Sequence, residues 1–84
     1  MENSIIELVT EIMEKGKFKK TKKSDAILKT ELDKLFKMHK KEASEDSARA
    51  IYEGIIKLAK FGKGEMANKF AMRFEQEVGY GDLK

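Results

Sequence analysis

Six lysines fall within nine residues, at Lys15, Lys17, Lys19, Lys20, Lys22 and Lys23, with Phe18 among them. Ammonium groups at that density neutralise phosphates, and a ring set between them can stack on an unpaired base. Such binding tolerates any base sequence and weakens steeply with salt. A solvated loop has the same composition, with Phe18 tucked against the body and its lysines facing the acids of the first helix. A basic loop equally suits an acidic protein or an anionic membrane surface.

The remaining chemistry-bearing residues are sparse. His39 is the single histidine. A metal site needs several converging ligands, and no HxxxH or HxxE spacing accompanies His39. Its place on an apolar stripe near a helix end predicts a satisfied, partly buried imidazole rather than a pH switch. Glu7, Glu11 and Glu14 share one side of the first helix, and Glu75 and Glu77 lie on the last. Without a pocket to raise a pKa, such carboxylates are solvated faces rather than acid–base pairs. Glu11 and Lys15 stand in the favourable i,i+4 order for an ion pair. The chain has no cysteine and no tryptophan. It has no P-loop, no dinucleotide fingerprint and no Ser/His/Asp arrangement. A non-enzymatic protein with no cofactor and no metal is expected.

The elements that must position these residues are helices. Eighty-four residues make one domain, and proline is absent, which favours uninterrupted helices. Helix 1 is expected over 4–15, with Ser4 and Glu7 as a capping box, Ile5, Leu8, Val9, Ile12 and Met13 on one face, and Gly16 as the stop. A basic connector, 16–23, follows. Helix 2 spans 24–41, starting at Ser24 with Asp25 in its first turn; Leu28, Leu32, Leu35 and Phe36 share a face. The switch from Lys40-Lys41 to Ser44-Glu45-Asp46 marks a break, with one long helix through Ala43 as the alternative.

Helix 3, 44–61, has the widest apolar arc. Ala48, Ile51, Ile55, Leu58 and Ala59 form its face, Tyr52 and Ile56 widen it on one side, and Ala50, Gly54 and Phe61 widen it on the other. Only Arg49, Glu53, Lys57 and Lys60 are left for water. A helix apolar over so wide an arc is covered on more than one side, so helix 3 is read as central. Gly62-Lys63-Gly64 is read as its stop. Helix 4 spans 65–78, with Ala67, Phe70, Ala71, Phe74 and Val78 on one face, and 79–84 is a flexible tail. Short links favour a compact antiparallel all-α bundle of four helices.

Ala50 and Gly54 are four apart, a spacing at which small residues let another helix approach closely. With Phe61 they mark either internal packing or a seam for a second chain, a homodimer included. Met72, Tyr80 and Leu83 would make an adaptable contact patch if they met at one end.

Charge is uneven. Residues 15–41 carry eleven lysines against Asp25, Glu31 and Asp33, whereas residues 1–14 carry four acids and no base. Sixteen of the 18 basic residues are lysine, a poor equipment for base-specific reading. The lack of cysteine, the absence of an apolar run near the roughly 18 residues that span a bilayer, and the acidic start MENSIIELV favour a cytoplasmic protein.

In layout the chain resembles the small basic four-helix immunity proteins that protect bacteriocin producers. The resemblance rests on the short apolar first helix SIIELVTEIM, the long second helix SDAILKTELDKLFKMHKK and the tail GYGDLK. Small lysine-rich accessory proteins of phages and mobile elements, and small helical subunits of RNA-guided defence complexes, share this layout. The resemblance implies a protein that docks on a macromolecular partner, another protein in the leading reading, as inhibitor, immunity factor or adaptor. Nucleic-acid binding through Lys15–Lys23 and the exposed lysines of helix 2 is the alternative, and a structural subunit assembling through helix 3 is a third.

Overall fold

Ser4, Ser24 and Ser44 each precede a helix in extended backbone, and each hydroxyl accepts the amide three residues on. These are N-caps, in which a side-chain oxygen satisfies one of the amides a helix leaves unpaired. In the computed structural model, which describes residues 4–16 and 18–79, the helices are α1 (Ile5–Lys15), α2 (Asp25–Glu42), α3 (Glu45–Lys60) and α4 (Gly64–Glu77). Among the described residues there is no strand. The protein is an all-α bundle of four helices.

The cap at Ser4 is only half of the expected box. The Ser4 hydroxyl accepts the Glu7 amide at 3.0 Å, while the exposed Glu7 carboxylate does not return the bond. Gly16 ends α1 in the left-handed conformation at φ 64°.

The break between α2 and α3 is real and sharp. Ala43 adopts φ 47°, a left-handed conformation uncommon outside glycine, and its amide donates to the His39 carbonyl at 2.7 Å. α3 closes through Gly62, also left-handed. The Lys63 amide donates to the Leu58 carbonyl and the Gly62 amide to Ala59, the paired bonds of a Schellman turn.

The stop is therefore Gly62 alone. Gly64, expected to belong to it, is instead the first residue of α4. It is buried, and a β-carbon there would stand 2.7–2.8 Å from Met13. A glycine at this place lets α1 lie close across the start of α4.

One core draws on all four helices: Ile5 and Val9, Leu28, Leu32 and Phe36, Ile51, Ile55 and Leu58, Ala67, Phe70 and Phe74. α3 packs against each of the other three helices, and α1 also packs against α4. The Phe36 and Phe70 rings stack at 5.9 Å, and Tyr52 meets Phe74 edge-on at 6.2 Å. No helix among the described residues is long and apolar enough to cross a membrane. The molecule is a slab of 33 × 33 × 17 Å, so a large share of each helix faces outward.

Candidate functional site

The basic connector is not a free loop. The Lys19 amide donates to the Lys60 carbonyl at 2.9 Å, satisfying one of the last carbonyls of α3. The Phe18 ring lies over Gly62, so that a β-carbon on Gly62 would be 3.4 Å from it. Phe18 stays 42% exposed, with one side of the ring covered. Two of the connector lysines are already engaged, Lys15 with Glu11 at 2.9 Å and Lys23 with Glu31 at 2.9 Å. Lys19, Lys20 and Lys22 are exposed and have no ion pair among the described residues. Lys17 lies outside the described residues.

Pinning the connector to the end of α3 brings it beside the outer face of that helix. There the structure forms an open groove of about 1010 Å³. α1 contributes Ile12 and Lys15, the connector Lys19, and α2 Glu31 and Leu35. α3 with its C-cap Phe61 contributes Ala50, Gly54 and Phe61 from one flank and Tyr52 and Ile56 from the other, with Glu53, Lys57 and Lys60 between. Two surfaces that the sequence suggests separately, the Ala50/Gly54/Phe61 flank and the lysines Lys15 and Lys19, thus meet in one depression.

α2 closes on this flank at Gly54. A β-carbon there would stand 2.8 Å from Leu32 Cδ2 and 3.7 Å from Leu35 Cδ1. The small residue is used for helix–helix approach within the chain, and Ala50 and Phe61 remain half-buried. The rim is net positive in its uncommitted charges. Lys15 and Glu31 are paired elsewhere, which leaves Lys19, Lys57 and Lys60 against Glu53. Lys57 also sits 6.0 Å from the Phe61 ring centroid, a weak cation–π contact.

The sequence reads Tyr52 and Ile56 as widening the helix 3 face and Lys57 and Lys60 as part of its solvent strip. Their joint role in a groove needed the position of α1 and the connector, which no spacing encodes. The signal present was the apolar arc of helix 3, too wide for its neighbours to cover.

His39 is half-buried, and its Nδ1 lies 2.6 Å from the Ser47 hydroxyl. Ser47 is 2% exposed and also bonds the Ser44 carbonyl at 2.9 Å, while the Ser44 hydroxyl donates to it at 3.1 Å. This Ser–His contact ties the end of α2 to the start of α3. Arg73 of α4 makes the other polar cluster. Its guanidinium donates to Asp33 at 2.9 Å and to Glu77, and lies 4.2 Å over the Phe36 ring. Burial lowers its pKa, but hydrogen bonds and charge from Glu77 and Asp33 outweigh burial and raise it.

Met72 is 54% exposed on α4. Tyr80 and Leu83, its expected companions, lie outside the described residues, as does the tail 80–84. No group of three or more His, Cys, Asp or Glu side chains among the described residues could hold a metal ion. Comparison with protein-family models, with curated proteins and with solved structures finds no match.

Proposed function

We propose that the protein is a small non-enzymatic binding protein of the cytoplasm that docks a protein partner in the groove over α3. It would work as an inhibitor, immunity factor or adaptor, by occupying the partner's surface. One observation carries this reading: a half-buried apolar floor and a net-positive lysine rim share one depression. An amphipathic helix flanked by acids suits both parts. Its apolar face would meet Ala50, Ile56 and Phe61, and its acids Lys19, Lys57 and Lys60.

A second copy of the chain is a poorer occupant, because it would bring an identical lysine rim against the first. The connector alone is a weaker nucleic-acid site than its composition suggests, since Lys15 and Lys23 are paired and Phe18 has one side covered.

The test is affinity capture from the cells that produce the chain, with Ala50→Trp beside the native sequence. The indole fills the groove without entering the core, and circular dichroism checks that both baits are equally helical. A discrete protein held by the native chain and lost with Ala50→Trp is expected. The same proteins on both baits, or nucleic acid alone on either, would overturn the reading.

A further inference from the structure

α2 carries Lys29, Lys34, Lys37, Lys40 and Lys41, all exposed and none ion-paired among the described residues. The helix has acids placed to compensate them. Asp25 precedes Lys29 by four residues and Asp33 precedes Lys37 by four, the order that favours pairing along a helix.

The fold spends those acids elsewhere. Asp25 pairs with Lys63 at 2.7 Å, Glu31 with Lys23 at 2.9 Å and Asp33 with Arg73 at 2.9 Å. Each of these bases comes from outside α2. Asp25, Glu31 and Asp33 thus tether the helix to its surroundings, only Glu42 at its last residue is left over, and the lysines remain as a strip of positive charge. At 100° per residue the five lysines cover an arc of about 140° on the side away from Leu28 and Leu32, with Phe36 at its margin and Asp33, paired to Arg73, inside it, and extend about 18 Å along the axis.

We infer that this face of α2 binds the phosphate backbone of double-stranded nucleic acid without regard to base sequence. Lysine is a point charge suited to phosphate, and the strip has no arginine to read base edges. It has no aromatic side chain on which an unpaired base could stack, which favours a duplex over a single strand. It lacks a central apolar anchor of the kind that dominates protein interfaces. Ile27 and Met38 border it eleven residues apart, too far apart to form the continuous apolar face of a membrane-surface helix. None of the five lysines lines the groove over α3, so this inference stands independently of the docking site proposed there.

The test is fluorescence anisotropy of a labelled DNA duplex of mixed sequence, titrated with the native chain across a salt series. Binding at about 50 mM salt is expected, with a log–log salt slope of about −4 to −5 if all five lysines meet phosphates. The triple substitution Lys34→Gln, Lys37→Gln and Lys41→Gln removes charge while keeping good helix formers. It is expected to reduce the slope by about 2.7 and to weaken low-salt binding more than tenfold. Lys57→Gln with Lys60→Gln, on the groove, should leave the slope unchanged. No binding at low salt would overturn the inference. So would a slope indifferent to the α2 triple substitution, or α2-dependent binding to phosphatidylserine vesicles without binding to the duplex.

Discussion

The Lys19 amide and the Lys60 carbonyl, forty-one residues apart in the chain, are joined by a hydrogen bond of 2.9 Å. That bond fixes where the basic connector runs. It carries Lys19 to the end of α3, lays Phe18 over Gly62 and completes the wall of the groove. A sequence rich in like charge is held in place by one backbone bond, one ring contact and the Lys23–Glu31 ion pair.

The dependence on Gly62 is testable. Its φ of 79° is costly for any residue with a β-carbon, and a methyl there would meet the Phe18 ring at 3.4 Å. Gly62→Ala should destabilise the fold by about 1–2 kcal/mol. The Lys19 amide, released from the Lys60 carbonyl, should then exchange its hydrogen faster than in the native chain. Unchanged stability and unchanged exchange at Lys19 would show that the connector is held by something else.

Ala43 makes the converse case. It sits at φ 47° on the exposed turn between α2 and α3, where glycine would carry no steric penalty. Ala43→Gly should stabilise the protein by about 1 kcal/mol, despite the added freedom of the unfolded chain. Thermal unfolding checks this, and an upward shift of about 4–8 °C is expected for a domain of this size.

The turn at Ala43 also shows what the sequence could tell. Three helix starts are legible because serine in front of an apolar stripe is a local device, complete within four residues. The break after α2 was visible only as a change of charge, because alanine in a left-handed turn has no sequence signature. Gly64 misled for a related reason. A glycine two residues after Gly62 looks like more turn, and only the approach of Met13 explains why a helix begins with it. The burial of Ser47 has no local signal either, because its partner His39 lies on the preceding helix. The groove was the least legible feature, since its walls come from four segments and one long-range backbone bond.

Arg73 clamps α4 to α2 through a fork that lysine cannot copy. It bridges Asp33 and Glu77 and covers the Phe36 ring at 4.2 Å. Arg73→Lys keeps the charge but loses the planar stack and one of the two bonds, so a loss of about 1 kcal/mol is expected. Urea unfolding should show a lower midpoint with an unchanged slope. Because the pKa of Arg73 is raised in the fold, its stabilisation is complete below the unfolded value and lost only as pH rises through the folded one. Across the neutral range the difference between the two proteins should therefore not vary through Arg73 itself.

Asn68 presents a liability. Its side-chain oxygen is buried without a hydrogen-bond partner. Asn68→Ala removes that oxygen and introduces the better helix former, so a gain of about 1 kcal/mol is expected. A lower unfolding temperature would mean that the amide is satisfied by a contact formed in solution.

The central claim, that the groove over α3 is where a protein partner sits, is tested most directly by site-specific photocrosslinking in the cells that make the chain. A photoreactive phenylalanine analogue is placed at Glu53, inside the groove, or at Met72, exposed on α4 and outside it. A single crosslinked protein product from position 53 and none from position 72 is the predicted result. A product from 72 alone, or none from 53, would contradict it.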